Sequence, residues 1–413
     1  MNAVPADVDA RQTADTVARR SYGKLIALLA SRTRDVAAAE DALSEAFARA
    51  LATWPANGCP ANPEAWLLTT ARRTVIDRER RQHAGERAAD HWRLLHEGLE
   101  GADEAPAIPD RRLALLFACA HPAIESGTRA PLMLQVVLGL DAKAIASAFL
   151  TSPAAMGKRL VRAKDKIRQA GIPFAIPDRE DLPPRLDAVL DAIYGAFAEG
   201  WAEPGGADVK RRDLAREAVF LARLVAEMLP EAPEALGLLS LVLHVEARAK
   251  ARRSVDGEYV PLADQAPGSW DMSMIAEAEA LLRASAARGS VGRYQLEAAV
   301  QSAHVERRLT GRANWTEIVQ LYDTLQALSR SPVVAINRAL AVAELRGARA
   351  GLEAMPDVAS DPRLAAYQPY WAARADLLAR EGAGDEARHA YEVAIGLERD
   401  PAVRRFLQRR RTP

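Results

Sequence analysis

Along most of the chain apolar residues recur at spacings of three and four, the period of a helix with one buried face. Residues 16 to 54 hold two such runs. "TVARRSYGKLIALLASRT" groups Leu25, Leu28 and Leu29, and "DVAAAEDALSEAFARALATW" groups Ala42, Ala46, Phe47 and Ala50. "PANGCPANP" then breaks the period with Pro and Gly. A third helix follows in "NPEAWLLTTARRTVIDRERRQ", residues 62 to 82. Asn62 suits its N-cap, Pro63 its first position and Glu64 the positive end of its dipole. Leu68, Val75 and Ile76 fall on one side of it, suited to a core; Thr69, Arg73, Asp77, Arg80 and Arg81 lie on or near the other.

Residues 111 to 169 read as helical again, up to "AGIPFAIPDREDLPP", whose four prolines stop a helix. Beyond Arg185 the helical period dominates to the end, interrupted at residues 253 to 271. A faint repeat runs through the tail: Ile318, Tyr322, Leu325 and Pro332 recur as Ala387, Tyr391, Ala394 and Pro401, each 69 residues on. That is about twice the 34-residue tetratricopeptide period, and Gly347 and Gly382, 35 apart, mark a middle copy. Generic Ala-rich helical hairpins are the alternative.

Composition narrows the class. A chain of 413 residues with 49% apolar content divides into several folded helical domains. A net charge of zero excludes a globally basic nucleic-acid coat and directs attention to local patches. Cys59 and Cys119 form no metal-ligand or CxxC spacing, which fits a reducing cytoplasm. The N-terminus has no apolar segment and the longest apolar runs fall short of a membrane span, so neither a signal peptide nor a membrane partner is expected.

Charge is concentrated on two helices. From Leu67 to Arg81, five arginines face Asp77 and Glu79, a net of +3. Alone, that is equally a solvated face. The second is in "LDAKAIASAFLTSPAAMGKRLVRAKDKIRQAG", which reads as helix, tight turn, helix. Asp141 caps the first helix and Ser152 the second, with Pro153 at its first position. Met156, Leu160, Ala163 and Ile167 form an inward stripe; Lys158, Arg159, Arg162, Lys164, Lys166 and Arg168 decorate the rest against Asp165, a net of +5. That is the pattern of a helix-turn-helix with its second helix in the major groove.

"DALSEAFARAL", "NPEAWLLTTARRTVIDRERR" and the stretch "LLFACAHPAIESGTRAPLMLQVVLGLDAKAIASAFLTSPAAMGKRLVRAKDKIR" resemble the two DNA-binding domains of a bacterial RNA polymerase sigma factor of the extracytoplasmic-function type. The remainder is similar to a subgroup with a C-terminal tetratricopeptide-like extension. The resemblance implies an all-α protein: a region 2-like domain at 16–84, an acidic linker at 85–110, a region 4-like helix-turn-helix domain at 111–170, a Pro-rich hinge at 171–185, a helical middle domain at 186–300 and helical repeats at 301–413. Region 2 would grip the minus-ten element and capture a flipped base, with Asn62, Trp66, Arg72, Arg73, Asp77, Arg80 and Arg81 at or near the DNA. Trp66 supports the core or stacks on the base. Ser152, Lys158, Arg159, Arg162 and Lys164 would meet the minus-thirty-five element, and Asp41, Glu45 and Phe47 the polymerase clamp.

The implied partners are core RNA polymerase, through its clamp and flap, and promoter DNA, with an intramolecular contact from the tail. Two positions depart from the family pattern. Leu150 stands where the turn usually carries Gly, which implies a differently built turn, and Gly157 stands where many relatives carry Lys. No enzyme signature is found: the histidines are scattered, with His91 and His96 five apart, and there is no GxSxG or phosphate-binding Gly-rich loop. The expectation is no catalytic residues, no metal and no cofactor. A one-component DNA-binding regulator, or a helical-repeat scaffold with basic patches, remains the alternative.

Overall fold

The computed structural model describes residues 6–33, 36–82, 110–169, 177–201 and 209–411. Among them the structure is all-α, with only an isolated bridge between Arg253 and Tyr259. The chain divides into two compact units, Met1–Ala196 and Phe197–Pro413.

The first unit begins with three packed helices, α1 (Ala6–Thr33), α2 (Val36–Asn57) and α3 (Pro63–Gln82). Leu25, Ile26 and Leu29 of α1, Leu43, Ala46 and Ala50 of α2, and Leu67 and Ala71 of α3 are buried. Each fully buried Leu or Ile contributes roughly 1.5–3 kcal/mol. The inward face of α3 is Leu67, Ala71, Thr74 and Val75, whereas Leu68 and Ile76 are only half-buried. The buried stripe is therefore rotated by about one residue from the expected one.

Four helices follow: α4 (Arg111–Cys119), α5 (Ser126–Val136), α6 (Ala142–Ala148) and α7 (Pro153–Gln169). Asp110 caps α4 by accepting from the amides of Arg112 and Leu113. This group packs on the first three helices through α1 against α4 and α2 against α7. Gly23, inside α1, lies on Val137: a Cβ there would come within 1.9 Å of the Val137 carbonyl oxygen. A mid-helix glycine costs about 0.5–1 kcal/mol relative to alanine, and here it permits that approach.

The expected hinge at 171–185 is only partly described. Within it, Pro183 and Pro184 open α8 (Pro183–Trp201), where their missing amides are not needed. Arg185 is buried and donates from Nη1 to the Phe117 carbonyl at 3.1 Å. The boundary expected at 185/186 thus falls inside α8, and the first unit extends to Ala196.

The second unit contains α9 (Val209–Met228), α10 (Pro233–Glu246), α11 (Met272–Ala286), α12 (Arg293–Thr310), α13 (Trp315–Ser329), α14 (Pro332–Arg346), α15 (Ala348–Ala354), α16 (Gln368–Arg380), α17 (Gly384–Leu397) and α18 (Pro401–Arg411). Helix α10 is buried from Ala235 to His244, enclosed by α9, α11 and α12. Beyond it each helix packs on the next. Helices α13 and α17 start 69 residues apart, as do α14 and α18. Ile318, Tyr322 and Leu325 are buried like Ala387, Tyr391 and Ala394. The boundary expected at 300/301 lies inside α12, which is continuous.

Several polar groups inside this unit are paired across its helices. His244 Nε2 lies 3.0 Å from Glu279, and Arg248 donates to Gln301 at 2.7 Å. Burial, then neighbouring Arg252, pushes Arg248 down to about 10. Burial, with Arg307 and Arg248 nearby, pushes His304 down to about 4. The His304 ring meets Trp315 edge-on, with centroids 5.8 Å apart. Glu258 accepts from Arg405 and Arg409 of α18, and Arg253 pairs with Asp400.

Candidate nucleic-acid interface

The loop between α2 and α3 is set by two local devices. Gly58 takes φ +80°, a left-handed conformation that glycine adopts without steric cost, and its amide bonds the Trp54 carbonyl at 2.9 Å. Asn62 then caps α3, its Oδ1 accepting from the Ala65 amide at 3.1 Å. Trp66 packs edge-on against buried Trp54, with ring centroids 5.5 Å apart and planes at 67°. Trp66 is thereby partly buried. Arg73 and Asp77, one turn apart, are exposed, while Arg72 is half-buried. Arg80 and Arg81 belong to α3, but their side chains lie outside the described residues, as does segment 85–109.

The second basic element is a helix-turn-helix. Asp141 caps α6 by accepting from the Ala144 amide at 2.7 Å, and Ser152 caps α7 by accepting from the Ala155 amide at 3.2 Å. Between them, Thr151 N bonds Ala146 O and Leu150 N bonds Ser147 O, the two bonds of a Schellman motif. The motif demands a left-handed residue at position 150, and Leu150 adopts φ +48°. The turn is therefore built as glycine would build it. The expectation of a different turn is corrected: leucine accepts the strain, on the order of 1–2 kcal/mol.

Met156, Leu160 and Ile167 anchor α7 in the core, with Ala163 half-buried beside them. Lys158, Arg162 and Lys166 are exposed and Arg159 is half-exposed. Lys164 is not directed to solvent. Its Nζ lies 2.5 Å from Glu40 Oε2 on α2, with both side chains 19% exposed.

On α2, Asp41 is exposed and Glu45 accepts from Arg49 at 2.6 Å. Phe47 is half-buried and stacks on Tyr22, with centroids 6.5 Å apart. Burial raises the Tyr22 phenol well above its ordinary range; Glu40 adds to this and a hydrogen bond with Ser44 opposes it. Burial also raises the Cys119 thiol, again with Glu40 contributing. Glu40 thus sits among Tyr22, Cys119 and Lys164, where α2 meets the second group of helices. Nothing in the local sequence pattern marks Glu40 for this role, or Gly23 for its contact with Val137.

Comparison with known proteins fits this geometry. Residues 17–84 match sigma-70 region 2, the segment that holds α2 and α3. The region 2 match, on an all-α fold, supports a sigma-70 family factor. Residues 185–286 match a family of unknown function (DUF6596). The chain is 39% identical over 370 residues to an uncharacterized protein of Rhizobium meliloti (strain 1021), covering 88% of this chain and 87% of the relative. It belongs to one family with that protein. No solved structure matches the chain. Among the described residues, no helix is long and apolar enough to cross a membrane.

Proposed function

We propose that this chain is an alternative sigma factor of the extracytoplasmic-function type, which binds core RNA polymerase in the cytoplasm and directs promoter recognition, melting and initiation. The observation that carries the reading is the presence, in one compact unit, of two capped basic helices, α3 and α7, the first inside the region 2 match. In this reading Asp41, Glu45 and Phe47 meet the polymerase clamp. The loop before α3 receives a flipped base, and Arg73 and its neighbours hold the single strand by charge and stacking. Helix α7 lies in the major groove of the minus-thirty-five element. The second unit is a tetratricopeptide-like extension that regulates the first in cis.

Run-off transcription with core RNA polymerase and the full-length protein tests the reading. Transcripts are expected only when both are present, and Arg73→Glu, at an exposed position, is expected to abolish open complexes while leaving polymerase binding nearly intact. A one-component regulator would instead bind DNA without polymerase and start no transcript. A folded chain ending at Trp201 is expected to give a different transcript yield from the full chain at equal concentration. Equal yields would remove the regulatory role of the second unit.

A further inference from the structure

We infer that the outer face of α7 reads a thymine beside a guanine, with Val161 touching the thymine methyl group and Gly157 making room for it. The inference rests on the promoter-binding reading of α7. At 100° per residue, the surface of α7 leaving the buried side of Met156, Leu160 and Ile167 runs from Gly157 on the flank through Val161 and Ala154 to Lys158 and Arg162, with Asp165 one turn and Arg168 two turns beyond Val161. Val161 is 60% exposed on an otherwise polar surface. A solitary exposed apolar residue is ordinary; what matters here is its place. It stands one turn from Lys158, beside Arg162, and on the same side as Ala154 two turns earlier.

Gly157 adds a second, independent observation. A Cβ built there meets nothing within 4 Å. Neither a close neighbour nor a positive φ requires glycine at this point. The bare backbone one turn before Val161 leaves a shallow recess with a branched apolar wall. Lys164, the next cation on that flank, is held by Glu40 and does not reach across it.

The major groove offers one apolar group, the thymine C5-methyl, and its strongest acceptor pair is guanine O6 and N7. A recess of Gly157, Val161 and Ala154 takes the methyl. Lys158 and Arg162, at its edge, donate to the neighbouring guanine. A lysine at position 157 would fill the recess with charge, so the glycine changes which base the helix accepts.

The test uses the full chain with core RNA polymerase. Duplexes are enriched from a random pool, and each thymine in the enriched site is replaced in turn by deoxyuridine, which lacks only the methyl. One replacement is expected to weaken binding roughly fourfold, the worth of one buried methyl. In Val161→Ala, which should fold because the side chain is exposed, that replacement is expected to have little effect. Gly157→Lys is expected to lose the preference for thymine over uracil as well. If every uracil duplex binds as well as its thymine parent, or the loss is equally large in Val161→Ala, the inference is overturned while the promoter reading stands. If no duplex is enriched at all, both are overturned.

Discussion

Lys164 and Glu40, 124 residues apart in the chain, meet in an ion pair of 2.5 Å between α7 and α2. The pair fastens α7, proposed above to meet the minus-thirty-five element, to the three-helix group proposed to meet the minus-ten element. Those elements lie about 25 base pairs apart, roughly 85 Å along B-DNA. The two groups of helices therefore cannot engage both while packed together. The 27 residues 83–109 could span at most about 90 Å if fully extended. On the promoter-binding reading proposed above, the packed arrangement is a closed form that polymerase and promoter would have to open. With a fluorescent donor at Ala52 and an acceptor at Ser147, energy transfer is expected to be high in the free protein and low in the open complex. Lys164→Glu is expected to lower it in the free protein, and the double swap Glu40→Lys with Lys164→Glu to restore it. Transfer that stays high in the open complex would contradict this account.

Gly23 supports the same closed form by backbone contact rather than charge. Gly23→Ala drives a methyl into the Val137 carbonyl. Overpacking of this kind costs about 1–3 kcal/mol, more than the gain in helix propensity of about 0.5–1 kcal/mol. Urea unfolding should show a net loss of stability. A more stable Gly23→Ala protein would mean that the contact between α1 and the Val137 backbone does not form in solution.

Leu150 sits at φ +48° where the turn calls for glycine. Relief of left-handed strain favours Leu150→Gly, while added freedom in the unfolded chain and lost packing oppose it. The net change is expected to stay within about 1 kcal/mol of zero. Leu150→Val is the sharper probe, because a β-branched residue is a genuine outlier at positive φ. It is expected to lower the thermal midpoint clearly below that of Leu150→Gly, and equal midpoints would exclude the Schellman turn.

His304 should make the second unit acid-sensitive. Its pKa is about 4 in the folded protein because of burial and the nearby Arg307 and Arg248, against about 6.5 in the unfolded chain. Between those values the unfolded state binds the extra proton. The stability contributed is full above about pH 6.5 and is lost as pH falls towards 4. The loss is on the order of 3 kcal/mol, at about 1.4 kcal/mol per pH unit. His304→Phe keeps a ring against Trp315 and removes the titration. Thermal denaturation from pH 7 to pH 4 should show the wild type losing more stability than the variant. Parallel curves would show that His304 is not buried in its neutral form.

The local rules were legible in the sequence alone. Caps act within three residues, so Asn62, Asp141 and Ser152 could be assigned by type and position, and all three accept the bonds that define a cap. The stripe of Met156, Leu160 and Ile167 could be read because burial repeats with the helical turn. The all-α architecture followed from that same period. What the sequence did not disclose depends on partners far along the chain or on neighbouring turns. Lys164 reads as one more cation on a basic helix until Glu40 arrives from 124 residues away. The true core face of α3, Leu67 and Ala71 with Thr74 and Val75, was set by where α1 and α2 stand against it. Pro183 and Pro184 read as the end of a hinge, yet proline at the first positions of a helix opens it, and the burial of Arg185 against the Phe117 carbonyl ties the start of α8 to what precedes it. Leu150 looked like a departure, but the Schellman bonds on either side leave the backbone one conformation. Sequence carries what neighbours within a turn or two decide; contacts between distant segments come into being only when the chain packs.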